Sequence, residues 1–93
     1  MTDAIRIELD RISDISKAEA LHERLEALLG SATGVDIDAT QVERIDTAML
    51  QLLTAFFRAL DRHHIQARIL NPSRAFADTA QLLGLAQVLN LSD

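Results

Sequence analysis

Three times along the chain the spacing of apolar residues switches from every second position to a helical repeat, and this order constrains the fold more than any other feature. Ile5, Ile7 and Leu9 alternate with Arg6, Glu8 and Asp10, which predicts a strand with one buried face. Ala18, Leu21, Leu25, Leu28 and Leu29 then recur at helical spacing, with Glu23, Arg24 and Glu26 off that stripe. Ser16-Lys17-Ala18-Glu19 reads as a capping box that opens this helix, and Gly30 supplies the left-handed residue that ends it. Val35 and Ile37 alternate with solvent-facing Asp36 and Asp38 in a second strand, which gives way to a polar loop from Thr40 to Arg44.

From Asp46 the pattern is helical again, with Met49, Leu52, Leu53, Phe56, Ala59 and Leu60 forming a wide apolar face that runs to His63. Ala67 to Leu70 predicts a third strand, and Asn71-Pro72-Ser73 a turn whose serine caps a last helix through Leu83, stopped at Gly84. Leu85 to Leu91 is apolar without a clear period. Strand and helix in strict alternation require crossover connections, so the class is α/β, a small mainly parallel sheet with amphipathic helices packed on it. Ninety-three residues hold one core, and residues 1–93 are expected to form a single domain.

Composition narrows the function. A formal charge of −5, with Lys17 the only lysine among scattered arginines, disfavours nucleic acid, whose phosphates need a basic patch. No apolar run approaches the roughly 18 residues of a membrane span. Met1-Thr2-Asp3-Ala4 does not read as a secretory signal and cysteine is absent, which together predict a cytoplasmic protein.

The informative position is the start of the second helix. At about 100° per residue, Thr47, Gln51, Thr54, Arg58, Asp61 and Arg62 fall on one stripe opposite Met49, Leu53, Phe56 and Leu60, so Thr47 is expected to face solvent. Its hydroxyl would sit in the first turn, where free amides and the helix dipole tolerate added negative charge. A phosphoryl group there brings a charge of about −1.5 to −2 beside the Asp46 carboxylate, enough to repel an acidic partner. Asp and Thr are also ordinary capping residues, and local sequence leaves both readings open. The short loop from the second strand adds weight to function, since parallel sheets place functional loops at the carboxyl ends of their strands. Leu50 and Phe57 lie at the border of the apolar face, as core edge or as added contact area.

The run Val35-Asp36-Ile37-Asp38, then Val42-Glu43-Arg44-Ile45-Asp46-Thr47-Ala48, then Leu50, Leu52 and Leu53, resembles the core motif of STAS domains, the sulphate-transporter and anti-sigma-factor-antagonist family. The likeness extends through Asn71-Pro72-Ser73 to Leu82-Leu83-Gly84-Leu85. It implies an anti-sigma-factor-antagonist-like regulatory module in which Thr47, immediately after the motif aspartate, is phosphorylated by a partner kinase and restored by a phosphatase. Partner binding would then involve Asp46, Thr47, Leu50, Gln51, Thr54 and Arg58, against an anti-sigma factor or a GHKL-type kinase. Two alternatives stay open within the resemblance: a STAS subunit of a phospholipid-transport ABC system that binds its ATPase, and a STAS protein of a chemotaxis or two-component module. Met49 stands where many members carry glycine, and one strand rather than two is readable before the first helix. The resemblance also leads to the expectation of a sheet edge that a homodimer would cover.

Catalytic constellations are weak. His63-His64 point about 100° apart at a helix C-terminus, where the dipole explains them. His22 has no nucleophile signature near it, and neither a phosphate-binding glycine loop nor a zinc-protease motif occurs. Asp36, Asp38 and Asp46 were they to converge would suit magnesium, but alternation on a strand accounts for the first two. The chain is expected to be no enzyme and to carry neither metal nor cofactor.

Overall fold

The computed structural model describes residues 4–28 and 34–91. Strand β1 (Ala4–Glu8) is followed by a two-residue strand β2 (Ile12–Ser13), a 3-10 turn over Ile15–Lys17 and helix α1 (Ala18–Leu28). Strand β3 (Gly34–Asp38), a two-residue strand β4 (Arg44–Ile45) and helix α2 (Thr47–Arg62) come next, then β5 (Gln66–Leu70) and α3 (Arg74–Leu82). The main sheet runs β1-β3-β5 and is parallel throughout, with Ile7 beside Ile37 and Ile37 beside Ile69. This is the α/β class that alternating periods require.

One sheet face is apolar because β-strand side chains alternate. Ile7, Val35, Ile37 and Ala67 are buried on it, together with Leu21 and Leu25 of α1 and Leu53, Phe56 and Leu60 of α2. The opposite face carries Arg6, Glu8, Gln66 and Arg68, all exposed. The smallest principal dimension, 20 Å, matches one sheet and one helical layer at about 10 Å each.

Several expectations are corrected in detail. The capping box at Ser16 and Glu19 does not form. Asp14 caps instead, its carboxylate accepting from the Ser16 amide at 3.0 Å and from the Ser16 hydroxyl, which makes that hydroxyl a donor. The stretch from Thr40 to Arg44 is not all loop: Arg44 and Ile45 pair in parallel with Ile12 and Ser13, giving a second, two-stranded sheet. Asp36 and Asp38 do not face open solvent. Asp36 is half-buried beneath Arg68, and Asp38 is buried, accepting from the Thr40 amide at 2.8 Å, the Thr40 hydroxyl and Arg6. These bonds hold the Asp38 carboxyl down at about 2, with Thr40 the leading cause and Arg6 contributing.

Helix α2 starts after Asp46 and ends at His63 as its sequence predicts, and α3 is capped by Ser73, which accepts from the Phe76 amide at 3.1 Å. Gly84 ends that segment with φ at +73°, a conformation glycine adopts without strain. The segment after it forms turns, and Leu89 is fully buried in the core. Leu29 and Gly30, the expected end of the first helix, lie outside the described residues.

Candidate functional site

Asp46 is built into the rim by both carboxylate oxygens. One accepts from the Met49 amide at 2.9 Å, the N-cap bond that α2 needs to satisfy its free first-turn donors. The other accepts from the Ile15 amide at 2.9 Å, so the start of α2 is tied to the 3-10 turn that precedes α1. The backbone repeats the connection, since the Asp46 amide donates to the Ser13 carbonyl at 3.3 Å. Nearby, Arg11 grips Glu43 at 2.8 and 3.2 Å, and the amides of Glu43 and Arg44 both donate to the Arg11 carbonyl. The pairing lowers the Glu43 carboxyl and raises the Arg11 guanidinium, through the hydrogen bond first and charge second. The β2–β4 pair is thus the frame that sets Asp46 in place.

Thr47 is the first residue of α2, exposed, and its hydroxyl makes no protein hydrogen bond among the described residues. Gln51, one turn on, is also exposed. The rest of the predicted stripe does not stay together. Thr54 is only 5% exposed and its hydroxyl donates to the Leu50 carbonyl at 2.9 Å, while Leu50 itself is fully buried. Leu50 and Phe57 are core residues rather than border residues, and they turn the buried arc of α2 far enough to include Thr54. Measured from Thr47 at 100° per residue, the solvent face centres about 50° round, on Gln51, Ala55, Arg58 and Arg62. Arg58 shares that face but stands eleven positions from Thr47, roughly 16 Å along the axis at the helical rise. It belongs to a separate groove at the far end of α2.

Two residues at the rim escaped sequence reading. Ile15 is 61% exposed and Ile12 38%, both in the short segment whose amide Asp46 holds. Their signal was present, since neither fits the strand period before it or the helical stripe after it. A cleft of about 290 Å³, lined by Asp10, Ser13, Lys17, Arg24 and Met49 among others, opens beside them. Met49, at the place of the family's glycine, is buried in an ordinary helical turn. Among the described residues no three His, Cys, Asp or Glu side chains gather as metal ligands, and no helix is long and apolar enough to cross a membrane.

Set against known proteins, residues 2–91 match a family model described as "Mlab, STAS domain". A solved structure of SpoIIAA, a Bacillus cell fate determinant, in its phosphorylated form superposes with a TM-score of 0.76 at 19% identity. The alignment covers 94% of this chain and 80% of that one, which shows a shared fold. Comparison with curated proteins gives no match. With the family match spanning nearly the whole sequence and the motif aspartate capping the helix that carries Thr47, the chain belongs to the STAS domain family.

Proposed function

We propose that the protein is a regulatory interaction module whose partner docks on the Asp46–Thr47 rim and is released when Thr47 is phosphorylated. The reading rests on one observation: an exposed threonine with an unbonded hydroxyl opens α2 directly after the capping aspartate. Thr47, Gln51 and the exposed Ile12 and Ile15 form the contact surface, polar on the helix side and apolar on the turn side. Leu50 and Thr54 support it from within. A phosphoryl group beside Asp46 adds like charge at the centre of that surface, and each 1.4 kcal/mol of repulsion lowers affinity about tenfold.

The partner is a GHKL-type kinase or anti-sigma factor, with a phosphatase to reverse the modification. Incubation with a cognate GHKL-type kinase and ATP is expected to add one phosphate by intact mass, absent in Thr47→Ala. A phosphate that persists in that variant sinks the assignment.

A second reading has a specific observation in its favour. The Met49 amide, a natural donor to an anion at a helix start, is already taken by Asp46. That occupancy suits a rim that docks without being modified, as in a STAS subunit bound to the ATPase of a phospholipid-transport system. Affinity capture from the native cell with wild type and Thr47→Glu separates the two: recovery of a transport ATPase selects the second, and a kinase or anti-sigma factor lost in the glutamate variant selects the first.

A further inference from the structure

At the opposite end of α2 the molecule has a groove of about 810 Å³ between that helix, the edge of β5 and the turns after α3. Three arginines line it, Arg58, Arg62 and Arg68, against a single acidic residue, Asp61, in a chain whose net charge is −5. Arg58 and Arg62 are successive turns of the exposed face of α2 and make no ion pair among the described residues. Arg68 is anchored, its guanidinium bound twice to Asp36 at 3.0 Å.

The floor of this groove is a strand edge. Among the described residues β5 pairs only with β3. The Leu70 carbonyl accepts from Ala39 on the β3 side, and backbone groups alternate along a strand, so Ala67 and Ile69 direct their amides and carbonyls outward. Among the described residues one donor reaches this row: the side-chain amide of Asn90, 3.3 Å from the Ala67 oxygen, presented from a left-handed turn with φ at +59°. Among the described residues the other outward groups, the Ala67 amide and the amide and carbonyl of Ile69, have no backbone partner, with Ala67 buried and Ile69 half-buried beneath the groove's rim. An edge with unfilled backbone positions and arginines on its flank matches what an extended acidic peptide requires, main-chain pairing for affinity and guanidinium–carboxylate contacts for choice.

We propose that the β5 edge and the Arg58–Arg62 face form a second docking site, independent of Thr47, that takes an extended acidic segment of a protein partner as an added strand. Asn90 occupies the edge until the segment arrives.

The test uses the whole chain and a fluorescein-labelled peptide of alternating glutamate and valine, read by anisotropy and by amide chemical shifts. Saturable binding is expected, with shifts at Ala67, Ile69 and Asn90 and a loss at raised salt. The exposed pair Arg58→Glu with Arg62→Glu weakens it at least about tenfold without moving the thermal midpoint, and Arg58→Gln with Arg62→Gln weakens it less. Asn90→Ala, which clears the Ala67 carbonyl, binds at least as tightly, and a lysine-for-glutamate peptide does not bind. No saturable binding, unchanged affinity in the double charge reversal, or shifts confined to residues near Thr47 would each overturn the proposal. So would ATP competing at the same amides with equal affinity, which marks a small-anion site, or self-association abolished by the double reversal, which makes the occupant a second copy.

Discussion

Asp46 does two jobs with one side chain, one carboxylate oxygen for each. Replacing it with alanine removes the N-cap bond to Met49 and the tether to Ile15 together, and the expected cost is about 1–2 kcal/mol in urea unfolding. Thr47→Ala is expected to change the same midpoint by less than about 0.5 kcal/mol, because its hydroxyl is exposed and unbonded. A large loss in Thr47→Ala would mean that the hydroxyl is structural and not a free acceptor of phosphate. At this scale the sequence was informative where chemistry is local. A polar pair at the first turn of an amphipathic run identifies the cap and the exposed threonine without tertiary knowledge. Ile15 stands out in the sequence only as an apolar residue outside both periods, and its tie to the rim depends on a carboxylate 31 positions away.

Elements explain which expectations failed. Helical projection assigns Thr54 to solvent because it treats the apolar face as centred on Met49, Leu53, Phe56 and Leu60; packing adds Leu50 and Phe57 and draws Thr54 inside. Thr54→Val, which keeps the shape and removes a hydroxyl bonded within its own helix, is expected to cost under about 1 kcal/mol. Thr54→Arg is expected to cost about 3 kcal/mol or more, and a tolerated arginine would show that this side of α2 is open. The β2–β4 pair was illegible for a different reason: two residues carry no period, and only the partner strand defines them. In the main sheet Asp38 sets a pH dependence. Its carboxyl is held at about 2 against an ordinary 3.8, so the unfolded chain takes up the proton first. That stabilisation is complete above the ordinary value and is lost as pH falls through the interval to about 2. Acid titration of the unfolding midpoint is expected to show this slope in wild type and a flatter one in Asp38→Asn.

For the whole molecule, the turns after α3 matter as much as a regular element. Leu89 is fully buried although its segment has neither helix nor strand period, which is why sequence left it ambiguous. Leu89→Ala is expected to cost about 2–4 kcal/mol, the range for a large side chain removed from a packed core. A loss below about 1 kcal/mol would mean that the tail is peripheral. The parallel order of the sheet was readable from alternating periods, whereas the polar ladder on its open face needed the register that sets Arg6, Asp36 and Arg68 in one row.

The Asp46–Ile15 bond, spanning 31 residues, has a kinetic meaning as well as a structural one. A contact between such distant positions forms only after the chain between them has closed, and high contact order delays it in folding. An isolated peptide from Arg44 to Arg58 carries Asp46, Thr47 and Gln51 yet lacks the strand β2 that bears Ile12 and the turn that bears Ile15. A partner that touches both halves therefore recognises completed folding as well as sequence, and a nascent or unfolded copy stays silent to it.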